Sequence, residues 1–90
     1  MKAITINNEL LEILKQIQSE DKPIEEWREI ESSDMFQSKN FCGGFDATED
    51  EFTFSFYDSH SNEYWFQFSL DSLDKIIRGE ITKMKVRRAD

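Results

Sequence analysis

Phe41-Cys42-Gly43-Gly44-Phe45-Asp46, Glu51-Phe52-Thr53-Phe54-Ser55-Phe56-Tyr57 and Glu63-Tyr64-Trp65-Phe66-Gln67-Phe68-Ser69-Leu70 hold ten of the twelve aromatic residues of this 90-residue chain. In the second segment Phe alternates with small hydroxyl residues. In the third, apolar and polar positions alternate, with Trp65 as the exception. A period of two puts successive side chains on opposite faces of a strand. Aromatic residues and Thr suit a pleated, half-buried surface. Asp58-Ser59-His60-Ser61-Asn62 between the two segments is turn chemistry throughout, which predicts a hairpin.

The register follows from the same pattern. With Tyr57 opposite Glu63, Phe56 faces Tyr64, Phe54 faces Phe66 and Phe52 faces Phe68. A slip by one residue would set Phe against polar partners and drive half the ladder into water. The first segment is expected as a third strand with Asp46 opposite Glu51, Phe45 on Phe52 and Phe41 on Phe56. Gly43 then falls opposite Phe54, whose ring can shield bare glycine backbone. The competing expectation makes Gly43-Gly44 a turn or bulge.

Working outward, Asn7 is placed to cap a helix over about residues 8–19, with Ile6 and Leu11 as a hydrophobic staple. Leu10, Ile13, Leu14 and Ile17 recur at helical spacing. Ser19 to Pro23 is a break, and Pro23 is expected at the first position of a short helix through Trp27; a strand from Trp27 to Glu31 is the rival. Ser32 to Asn40 reads as loop anchored by Met35 and Phe36. Past the strands, Asp71 is the expected cap of a helix carrying Leu73, Ile76 and Ile77, stopped by Gly79 in the left-handed region. Ile81 to Arg87 alternates apolar with basic residues and reads as one last strand with a basic face on a sheet edge, or else as a frayed tail. The expected architecture is a single α+β domain over residues 1–90. It has an antiparallel sheet of three to five strands, with the N-terminal helix and a C-terminal-half helix packed on one face.

Composition bounds the function classes. Net charge is −8; residues 81–90 carry +3, which leaves −11 on the first eighty. An acidic body repels phosphate backbones and attracts basic surfaces. Glu51, Asp58 and Glu63 stand among the aromatics where a single-strand binder would place basic residues, which argues against nucleic acid as partner. One Cys excludes an intrachain disulfide and fits a reducing compartment. The N-terminus shows no signal-like apolar run and no stretch could span a membrane, so a cytoplasmic protein with no membrane partner is expected.

No catalytic, metal or cofactor motif stands out. Asp46, Glu49, Asp50 and Glu51 cluster at one turn without the spacing of a calcium loop. A Cys42–His60 nucleophile pair is kept apart by the register, which puts His60 at a hairpin tip and Cys42 in a strand. The face opposite the Phe ladder carries Trp65 among Cys42, Thr53 and Ser55. A large aromatic among small residues forms a shelf of the kind protein partners use. Trp65, Tyr57, Glu63, Gln67 and Asp58 are therefore expected to meet a protein partner, in particular a basic one, within an acidic rim. Neutralising a toxin and imitating nucleic acid are concrete forms of that role. A small-molecule binder or enzyme on the same face, and a homodimer through this face or the Met84 strand, are the alternatives.

Overall fold

The alternation of Phe with hydroxyl residues is realised as strands in the computed structural model, which describes residues 2–30 and 35–89. Strand β1 (Ala3–Thr5) is followed by helices α1 (Asn8–Ser19) and α2 (Ile24–Arg28), then by strands β2 (Phe36–Gln37), β3 (Cys42–Asp46), β4 (Glu51–Tyr57) and β5 (Glu63–Ser69), helix α3 (Leu73–Ile77), and strands β6 (Lys83–Lys85) and β7 (Arg87–Arg88). The fold is α+β. A five-stranded antiparallel sheet has the order β2-β3-β4-β5-β7, and β1 pairs with β6 in a second, two-stranded sheet. The registers are those set by the Phe pattern. Tyr57 pairs with Glu63, Phe54 with Phe66, and Phe52 with Phe68; Asp46 pairs with Glu51 and Gly43 with Phe54. The glycine pair is strand, not turn.

The Phe face is the core side. Phe52 stacks on Phe68 at 5.4 Å, Phe54 on Phe66 at 6.1 Å and Phe56 on Tyr64 at 5.8 Å. Leu10, Ile13, Leu14 and Ile17 of α1 and Leu73 and Ile76 of α3 join the same buried cluster. Helices of five residues lie far below the dozen or so needed for stability alone, so α2 and α3 depend on this packing. Trp27 is the single buried residue of α2, at 1% exposure. It meets Phe52 edge-on at 5.0 Å and lies 6.1–6.2 Å from Phe45 and Phe36.

Several local expectations are corrected. Pro23 is the N-cap of α2, one position earlier than expected. Phe36 pairs in β2 while Met35 is 50% exposed, so only Phe36 anchors that segment. The expected loop residues 32–34, and Glu31 of the rival strand, lie outside the described residues. Asp71 is not the cap: the Ser69 hydroxyl accepts from Ser72 N–H and opens a 3₁₀ turn (Leu70–Ser72) that runs into α3. Gly79 ends the helix at φ +82° as expected. The last strand is neither continuous nor frayed. It pairs with β1 as β6, then crosses to β5 as β7, with Met84 and Val86 buried and Lys83, Lys85 and Arg87 exposed.

Two polar clips tie turns to helices. Arg28 of α2 grips both carboxylate oxygens of Asp50, donating from Nε at 3.0 Å and from Nη2 at 2.8 Å. Glu9 of α1 accepts from the Ser38 hydroxyl, from Asn40 N–H and from the Asn40 side-chain amide, and so fastens the β2–β3 turn. These donors, the Ser38 hydroxyl first, hold the Glu9 carboxyl below its ordinary value of 4.5. A lowered folded-state pKa gives stability that is present above the unfolded value and lost as pH falls through the folded one. The stability difference between wild type and Glu9→Gln is therefore expected to be constant from neutral pH down to about 5 and to shrink at more acid pH. Urea titrations at a series of pH values measure it, and a difference that grows on acidification would contradict the clip.

Candidate functional site: the outer sheet face

Cross-strand pairing sets one residue from each strand in a single row: Gln37, Cys42, Ser55, Trp65 and Arg87. By the alternation of strand side chains this row lies on the face away from the Phe ladder. Gly44, Thr53 and Gln67 form the next row, and Asp46, Glu51 and Ser69 the one beyond. Tyr57 and Glu63 close the other end. The buried residues of all three described helices belong to the opposite face. Neither the Trp27–Phe36 contact nor the buried Met84 reaches over Trp65, because both sit in the core.

Trp65 is half-buried rather than free-standing. The Arg87 guanidinium carbon lies 5.3 Å from its ring centre. An arginine so placed over indole at a partly exposed site is worth about 0.5–1 kcal/mol. The strip beside Trp65 is thus basic on the β7 side, where Arg87 and Lys85 line a shallow hollow of about 220 Å³ with Trp65, Gln67 and Glu51. The acidic residues of the face, Asp46, Glu51 and Glu63, lie toward its ends. The basic flank was hidden in the sequence because it depends on which strand β7 joins.

The other expected site residues divide by role. Tyr57 is 65% exposed, the most open large hydrophobic side chain of the described residues. The Gln67 side chain donates to the Thr53 hydroxyl at 3.2 Å and is held on the face. The Glu63 carbonyl accepts from Ala89 N–H at 2.9 Å, which secures the last strand, while its side chain stays half-buried on the face. Asp58 is absorbed by the hairpin turn: its carboxylate accepts from His60 N–H, Asn62 N–H and the Asn62 side-chain amide. The Asn62 backbone bond, foremost, holds its carboxyl below the usual range.

A hollow of about 540 Å³ opens on the same face over Cys42, Gly44, Thr53 and Ser55, with Ile30 and Met35 at its rim. It lies across β4 from Trp65. Cys42 pairs with Ser55 in mid-strand, and His60 belongs to the turn after Tyr57, so the strand register sets them apart. Asp46 and Asp50 are engaged with the loop amides of Thr48 and Glu49 and with Arg28. Among the described residues no group of three or more His, Cys, Asp or Glu side chains could hold a metal ion, and no helix is long and apolar enough to cross a membrane. No protein-family model, curated protein or solved structure matches the chain, so the reading of function rests on the geometry of this face.

Proposed function

We propose that this chain is a small cytoplasmic protein-docking module that acts by occupying a basic protein partner through the outer face of its five-stranded sheet. The observation that carries this reading is the half-buried Trp65 among Cys42, Ser55 and Thr53 on a face that none of the described helices covers. Aromatic anchors surrounded by small residues are where binding energy concentrates. The net charge of −8 draws a basic surface toward the molecule. Neutralising a toxin and occupying a nucleic-acid-binding surface are two forms of the same act.

Capture of partners from the source cell by the wild type and by Trp65→Ala tests the reading. Trp65→Ala is expected to keep the folded circular dichroism spectrum and to lose at least about 30-fold in affinity for the captured partner. Equal affinity of the two proteins would remove Trp65 from the interface. A small-ligand role on this face is favoured by one observation: the 540 Å³ hollow falls within the volume range of ligand pockets. Stabilisation of the wild type by a ligand from a metabolite panel, lost on filling the hollow with Ser55→Phe, would support that second reading.

A further inference from the structure

Resting on the docking-face reading above, we infer that in the free protein this face is closed by a second copy of the same chain, related by a twofold axis running along β4. The row Gln37, Cys42, Ser55, Trp65, Arg87 has Ser55 at its centre. Rotation about an axis along β4 keeps position along the strands and exchanges the two sides of the sheet. Ser55 then meets Ser55 of the second copy, Trp65 lands over Cys42, and Arg87 lands over Gln37.

The large side chain and the hollow are thus matched. Trp65 stands one strand to one side of β4; the hollow over Cys42, Thr53 and Ser55 spans β4 and the strand on its other side. The Trp65 of each copy faces the hollow of the other, as a self-complementary interface requires. In the next row Gln67 meets Gly44, and Thr53 meets its own counterpart. Tyr57, otherwise the most exposed large hydrophobic side chain of the described residues, also meets its own counterpart. A twofold axis across the strands would instead stack Trp65 on Trp65 and leave the hollow empty.

The extent of the face agrees with a modest dimer. Strands spaced about 4.8 Å apart and rising about 3.3 Å per residue give roughly 400–500 Å² per copy. The total, about 800–1,000 Å², falls below the roughly 1,200–2,000 Å² of stable interfaces and in the range of weak associations. Twisted sheets pack with strands crossing at about 30°, so the axis lies roughly 15° from β4. Like charges come onto the axis only at Glu51. A basic partner taking the same face competes with the second copy, so partner binding and dimer dissociation are linked.

Sedimentation equilibrium of the full chain, from low micromolar to millimolar concentration, is the test. The wild type is expected to dimerise, and added salt is expected to tighten the dimer by screening two bodies of charge −8. Trp65→Ala should raise the dissociation constant at least about 30-fold; Ser55→Arg, which leaves Trp65 in place, should abolish the dimer; Glu51→Gln should strengthen it. In a Cys42→Ser background, Ser55→Cys should be joined to its counterpart by a short bis-maleimide, because the two thiols face each other across sheet backbones about 10 Å apart. A wild-type monomer at millimolar concentration overturns the dimer and leaves partner docking standing. A dimer that ignores Ser55→Arg uses another surface and likewise overturns the inference. A captured partner indifferent to Trp65→Ala overturns the docking reading instead.

Discussion

Gly43→Ala is expected to remove a large share of the folding stability of the molecule. A Cβ at Gly43 would sit 2.1 Å from the Thr53 carbonyl oxygen and 2.7 Å from both Cα and Cγ of Phe54. Two of these atoms are backbone in the central strand, so no side-chain rotation relieves the clash. The third belongs to a ring that stacks on Phe66 and Phe68. Overpacking a core commonly costs about 1–3 kcal/mol, and more where the surroundings are rigid. We expect about 3 kcal/mol or more here, a large share of the roughly 5–13 kcal/mol expected for a chain of this length. The melting temperature should fall by about 12 °C or more. Gly79→Ala is the control. A Cβ there meets nothing within 4 Å, and the cost comes only from φ +82°, roughly 1–2 kcal/mol. Urea and thermal denaturation of the two variants measure the difference, and a Gly79 variant weaker than the Gly43 variant would refute the ring-over-glycine packing.

Trp27→Ala is the second large effect. The indole is 1% exposed and meets three Phe rings drawn from β2, β3 and β4. Its removal leaves a void at the only buried contact of α2. Deleting a buried Trp typically costs about 3–5 kcal/mol, and α2 is too short to hold its helix without it. Trp27→Phe should cost much less than a volume argument alone suggests. The Trp27 Nε1 is buried with no acceptor among the described residues, and such an orphaned donor already costs about 1–3 kcal/mol in the native state. Phe removes that donor and keeps the ring. Urea unfolding of both variants decides the matter: a Phe variant as unstable as the Ala variant would mean that the N–H does have a partner.

The Phe ladder was legible because its period and its register are enforced by the same burial. Any slip moves Phe52, Phe54, Phe66 and Phe68 out of the core together. The helix from Asn8 was legible for a similar reason, with cap, staple and apolar stripe agreeing, and Asn7 does accept from Leu10 N–H at 2.9 Å. What escaped was whatever depends on non-local choice. Residues 83–88 alternate identically whether they pair with β1, with β5 or with both in turn, so the crossing at Val86 leaves no mark on the pattern. The position of Arg87 on Trp65 follows from that crossing and was equally hidden. β2 has two residues, too few for any period to register. Ser69 and Asp71 are both competent caps two positions apart, and only the approach of the Ser72 N–H decides between them. On the outer face the composition of the shelf was readable from alternation alone, but the charge of its flank was not.

The crossing of the last strand also governs when the molecule can close. Val86 donates its N–H to the Lys2 carbonyl, and Ala89 donates to Glu63. Met84 and Val86 of the same segment fill the core. Both the N-terminal strand and the hairpin wait for residues 83–88 before the fold can close. A chain truncated before them leaves the core open where Met84 and Val86 would sit, which is the condition under which chains stick to one another or to chaperones. The segment 83–88 acts as the latch of the fold.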